Sequence, residues 1–145
     1  MPLGSTFEGQ LLNLFLCAKP IANIADNAGA APLTNTWSAL HTADPLNGTQ
    51  ITNEVALTGY TRTSVARTTA GFTVTGSQPA SASPVAAINF PQLTSTSTGT
   101  ATHWSVGFTS AGAGQIIASG TISPNINLGQ NVTPQLTTAS SVTLT

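Results

Sequence analysis

Only seven of the 145 residues carry a charged side chain: Lys19, Arg62 and Arg67 against Glu8, Asp26, Asp44 and Glu54. A soluble domain ordinarily devotes about a quarter of its residues to charge. A chain this poor in ionisable groups must hold its fold mainly by packing and hydrogen bonds. The formal net charge of -1 argues against nucleic acid as a partner, because phosphate binding needs clustered Lys and Arg. The same scarcity argues against an enzyme, since acid, base, metal and phosphate chemistries draw on side chains that are nearly missing. With little repulsion between free copies, self-association is expected.

The length suits one hydrophobic core. Cys17 is the sole cysteine, so no internal disulfide can form. It ends the run Leu11-Leu12-Asn13-Leu14-Phe15-Leu16-Cys17, where a small buried apolar residue is the expected role. The segment Met1–Ser5 has no basic side chain, and the apolar run after Glu8 is far below the roughly 18 residues of a membrane helix. Neither a leader nor a membrane contact is expected, and synthesis in a cytoplasm follows.

Ser5-Thr6-Phe7-Glu8 has the form of a capping box, with apolar residues at Leu11, Leu12, Phe15 and Leu16 behind it. It predicts a short helix from about Thr6 to Lys19, closed by Pro20. Ile21–Thr36 is rich in Ala, Asn and Gly without a period and reads as a connection or arm. Residues 1–36 thus form an N-terminal helix and arm, and residues 37–145 a β domain.

In that domain, short stretches of Thr, Val, Ile and aromatics are broken by Gly, Pro and Asn. Strands are expected at Trp37–Thr42, Tyr60–Ala66, Phe72–Thr75, Ala86–Phe90, Thr102–Phe108, Gln115–Ile122, Ile126–Leu128 and Ser141–Leu144, with Glu54–Leu57 a weaker candidate. Their number and spacing imply an all-β sandwich, jelly roll or closed barrel. Along Thr102–Phe108, Trp104, Val106 and Phe108 share the face expected to be buried, opposite His103, Ser105 and Gly107. Gly76–Pro84 and Thr94–Thr102 are polar and low in complexity, and read as exposed loops.

No motif carries catalysis. His41 and Asp44, three apart on a strand entering a turn, face opposite sides, which disfavours a shared metal, and Asp44-Pro45 reads as a turn. Serines are plentiful and a Ser-His pair is compatible with composition, but G-x-S-x-G is absent. Gly112-Ala113-Gly114 lacks the following Lys and reads as a hairpin turn. No catalytic residue, cofactor or metal ligand is therefore assigned. Arg62 and Arg67 are expected either to pair with a carboxylate such as Glu54 or Asp44, within the subunit or across an interface, or to line a solvated strand edge. Aromatic and arginine enrichment at interfaces makes Trp37, Tyr60, Arg62 and Arg67 the candidate contact residues. A glycan site would be expected to expose aromatics beside Asp or Asn, and Trp37, Tyr60 and Trp104 are few and strand-like.

The segments Trp37–Pro45, Thr52-Asn53-Glu54-Val55, Gly59-Tyr60-Thr61-Arg62, Ala101–Gly107 and Gly114–Gly120, in that order, resemble a family of small structural proteins of tailed bacteriophages. Its members are described as head decoration or cement proteins and as tail-fibre-like proteins. The resemblance spans about Trp37 to Pro134 and implies a β-sandwich or jelly-roll subunit without catalytic residues. The function it implies is a cement or decoration protein on the exterior of the assembled capsid, with the major capsid protein and further copies of itself, as dimer or trimer, for partners. The alternative is a tail-fibre or receptor-binding component; an unrelated adhesin-like module is a third possibility. The short, unrepeated chain tilts the expectation towards the head, because fibres are elongated and repetitive.

Overall fold

A computed structural model describes residues 5–21, 33–45, 48–76 and 79–144. Among these described residues one helix, α1 (Ser5–Cys17), precedes nine strands: β1 (Asn35–His41), β2 (Thr63–Ala66), β3 (Phe72–Thr75), β4 (Ala80–Pro84), β5 (Ile88–Asn89), β6 (Gly99–Gly107), β7 (Ile116–Leu128), β8 (Gln135–Leu136) and β9 (Val142–Leu144). All pairings are antiparallel, in sheets ordered β2-β1-β6-β7, β3-β4-β9 and β5-β8. The all-β sandwich with one short helix expected from the sequence is the architecture observed.

Helix and strands share one core. Leu12, Leu16 and Cys17 from α1 join Leu40, Phe72, Ala80, Ala82, Phe90, Trp104, Val106 and Val142 in a single buried cluster. Cys17 has the buried structural role expected of it: its thiol donates to Phe72 O at 3.4 Å, and burial pushes its pKa up.

α1 runs Ser5–Cys17 rather than Thr6–Lys19, because Ala18 turns left-handed (φ 55°) and stops it before Pro20. Glu8 does not stay at the surface as a capping residue would. It is buried, and its Oε2 accepts the Ala80 N–H at 3.2 Å. The helix also lacks a basic residue in its last turn. Arg67, just after β2, supplies one: Nε donates to Phe15 O at 2.7 Å and Nη2 to Leu14 O at 2.6 Å. A third donor, Nη1, reaches Leu33 O at 3.2 Å. One cation therefore fixes the end of α1 to the four-stranded sheet.

Several strands differ from expectation. Ala80–Pro84, read as a loop, is the central strand of its sheet, with Ala80 and Ala82 buried. Alternating Ala and Ser give little β signal. Their value is their size, which lets α1 pack closely on β3 and β4. The expected loop Thr94–Thr102 ends early, since β6 begins at Gly99. Gln115–Ile122 and Ile126–Leu128 are one strand, β7, whose residues Ile122–Asn125 bulge opposite Thr102, between the pairs His103↔Thr121 and Ala101↔Ile126. Pro124, unable to donate to a ladder, sits in that bulge. Only Ile88–Asn89 of Ala86–Phe90 pairs, with the unpredicted β8. Tyr60–Arg62 carries no ladder bonds, and the weaker candidate Glu54–Leu57 makes a lone bridge, His41↔Glu54. Most of the expected arm, residues 22–32, lies outside the described residues.

Replacing Arg67 by Met should lower unfolding free energy by roughly 1–2 kcal/mol, the cost of leaving partly buried carbonyls without a charged donor. In hydrogen exchange, the α1 amides should lose protection before those of β1 and β6.

Candidate functional site

The face of β1 and β6 turned away from the core cluster is covered as well. Trp37, Ala39 and His41 oppose Gly107, Ser105 and His103 in register, and the segment Thr49–Glu54 folds across them. Ser105 and Gly107, expected on the open face, are consequently buried. Trp104 and Val106 are buried as expected, whereas Phe108 lies past the strand end and is half-exposed. Gln50 is fully buried over Gly107: its Nε2 donates to Trp37 O at 3.1 Å, and its Oε1 accepts Thr109 N–H and Oγ1–H, each at 3.2 Å. A Cβ at Gly107 or Gly114 would collide with the Gln50 side chain, so a side chain at either position would have to displace that buried amide.

Arg62 extends this polar layer. Its Nε and Nη2 grip Glu54 Oε1 and Oε2, both at 2.7 Å. Nη1 donates to Thr109 O at 3.0 Å and Oγ1 at 3.1 Å, and Nη2 also to Gly112 O at 2.8 Å. All five guanidinium N–H groups thus have acceptors. Of the sequence alternatives, pairing with Glu54 inside the subunit is the one realised, and a solvated edge is not. Tyr60 accepts the Leu40 N–H at 2.8 Å, donates to Glu54 Oε1 at 3.4 Å and stacks on Phe90 with centroids 6.0 Å apart. Burial pushes its phenol pKa far up, so it stays a neutral donor.

Among the candidate contact residues, then, Tyr60, Arg62 and Arg67 direct their polar groups into the subunit, and Trp37 is half-buried in β1. The structure brings Tyr60 and Arg62 together on Glu54 and leaves Arg67 at the end of α1. The apolar side chains left open at the surface, Phe15, Leu33, Ile51 and Val85, carry no sequence signal that separates them from core residues.

A serine and a histidine do meet. His41 Nε2 lies 2.8 Å from Ser105 Oγ, and Nδ1 lies 2.9 Å from Thr52 O. The carbonyl can only accept, so Nδ1 carries the proton and Ser105 donates to Nε2. This resembles a nucleophile–base pair, but both residues are wholly buried, and neither lines the 210 Å³ depression beside Glu54, Tyr60 and Arg62. What the arrangement does is tie the covering segment to the sheet. Burial lowers the His41 pKa, more than the Thr52 carbonyl and Glu54 raise it. Asp44 is exposed while His41 is buried; among the described residues no three His, Cys, Asp or Glu side chains are grouped to hold a metal. No described helix is long and apolar enough to cross a membrane.

Two outcomes follow. Arg62→Met leaves Glu54 and the 109–112 carbonyls without their donor, and should cost about 3 kcal/mol in urea unfolding. For His41, the folded pKa lies below the ordinary 6.5, so the unfolded chain takes up the proton first. Its contribution is present above about pH 6.5 and lost as pH falls towards the lower folded value. Unfolding free energy should drop between about pH 7.5 and pH 5, and His41→Asn should flatten that slope.

No curated protein matches the chain. The family model of the podophage GP4 fiber I protein gp80 matches residues 15–145, from the end of α1 through β9. That span takes in all three sheets, the Thr49–Glu54 cover and the Arg62 cluster, so the chain belongs to the podophage GP4 fiber I protein gp80 family and is a structural protein of a phage virion.

Proposed function

We propose that this chain is a non-enzymatic building block of a fibre-type appendage on the virion, assembled with further copies of itself. The observation that carries the reading is the match of residues 15–145 to a family described as a fiber protein. The distribution of charge supports it. Glu8, Arg62 and Arg67 are buried, and Glu54 is locked to Arg62, so among the described residues Lys19 and Asp44 are the charged side chains at the surface. Contacts made by such an exterior rest on shape, apolar burial and backbone pairing. The outer strands β2 and β7 of the four-stranded sheet contain no charged residue, which suits edge pairing between copies.

A second reading, a cement protein on the exterior of the major capsid protein shell, is favoured by the lack of repeats in this sequence. A protein that binds the assembled lattice and not its free subunits stabilises the shell by mass action.

Antibody labelling of intact particles separates the two. Label at the tail is expected; label spread over the head would replace the fibre reading with the cement reading. Retention on the particle should change little between about 0.05 and 1 M salt, and steep release would contradict a neutral interface. Light scattering of the purified chain should give a multiple of the monomer mass, and a monomer at high concentration would remove the self-assembly part of the proposal.

A further inference from the structure

A trough of about 340 Å³ runs between β2 and residues 86–89. Thr63 Oγ1 donates to Asn89 O at 3.1 Å and ties its two walls together at one end. At the other end Gly71 lies so close to Ala66 O that a Cβ there would collide with it. Between these ends the walls include Val65, Ala66, Ala86 and Ala87, and no lining residue is ionisable.

The free edge of β2 opens into this trough. Arg67 N–H donates to Thr34 O at 2.9 Å, which fixes the alternation along the antiparallel β1–β2 pair. Thr63 and Val65 turn their backbone N–H and C=O groups toward β1, and Ser64 and Ala66 turn theirs away from it. Ser64, an exposed lining residue, therefore presents its N–H and C=O to the trough.

Around the Gly71 end stand three of the four large apolar side chains exposed among the described residues. Val85 is 47% exposed, and its N–H donates to Gly71 O at 3.0 Å. Leu33 and Phe15, 47% and 37% exposed, offer their carbonyls to the guanidinium of Arg67, the residue after Ala66. The fourth, Ile51, belongs to the Thr49–Glu54 cover on the other face of the sheet. An apolar knob thus adjoins an apolar hollow, and grouped exposed apolar side chains mark interaction surfaces.

We infer that a second copy of the chain docks here, the knob around Val85 of one copy entering the trough beside β2 of the next. The inference rests on the self-assembly reading above and names the surface that serves it. Because knob and trough adjoin, each copy can fill its neighbour and be filled in turn, as the copies of a closed symmetric assembly do. The trough offers no charge by which to select a charged partner, and a like surface meets it without repulsion. The outward backbone groups of Ser64 add hydrogen bonds that the main chain of a partner completes.

Sedimentation equilibrium of the full chain and of variants shown to be folded by circular dichroism tests this. Val85→Asp should weaken self-association about tenfold or more, because a carboxylate loses its hydration in an apolar trough. Ile51→Asp makes a comparable exchange on the cover and should leave association unchanged. Ser64→Pro removes an outward N–H, which an edge strand tolerates, and should also weaken association; it serves if Val85→Asp does not fold. In hydrogen exchange, the Ser64 amide should exchange freely in dilute solution and become protected as concentration rises. A monomeric original chain removes the self-assembly reading itself and the inference with it. A self-associating chain whose Val85→Asp variant associates as tightly, or whose Ile51→Asp variant weakens as much, overturns the inference and leaves that reading standing. If the chain is monomeric yet Val85→Asp abolishes its retention on particles, another virion protein fills the trough, and the inference is again overturned.

Discussion

The Arg62 guanidinium joins segments that no strand ladder connects. Glu54 ends the covering segment, Thr109 and Gly112 belong to the β6–β7 connection, and Arg62 precedes β2. A buried cation is tolerable only when its donors all find acceptors, and here the carboxylate and three neighbouring oxygens provide them. Gln50 and His41 lie under the cover that this arrangement holds down. The second face of the β1–β6 pair is covered because of it, so these two strands are packed on both faces while the outer strands β2 and β7 stay partly exposed.

Much of this was legible in the residues. Stretches of β-forming residues found β1 and β3, alternation found the middle of β6, and the capping box with the apolar residues behind it found α1. Failure came where composition and role part company. Ala80–Pro84 has the small, polar look of a loop, yet a strand under a helix needs small side chains. Tyr60–Arg62 has strand-forming residues, yet its tyrosine and arginine serve the polar layer rather than a ladder. The pairing of Arg62 with Glu54 was readable as one of several options, because so few partners existed. The role of Arg67 was not, since capping carbonyls of a distant helix leave no trace in local sequence. Nor was the trough beside β2, whose lining comes from segments joined only in space.

The scarcity of charge also has a structural side. Ordinary domains scatter charged residues over the surface and seldom bury them. Here, among the described charged residues, Glu8, Arg62 and Arg67 are buried and Glu54 is gripped by Arg62, so what charge is described there organises the interior. A virion component meets its neighbours at very high local concentration, where an exterior of Thr, Ser and Asn hydrates without repelling. The family membership and the physics of the surface thus point to one kind of life, in which the subunit persists as part of something larger.

The remote cap on α1 has a bearing on how the molecule comes into being. Leu14 and Phe15 present their carbonyls to a guanidinium 53 and 52 positions further along, and the strands beneath the helix, β3 and β4, are synthesised later still. The helix is therefore synthesised before the residues that hold it in place. Until Pro84 has emerged, an uncapped amphipathic segment must wait with its leucines exposed, and its docking closes the core rather than starting it.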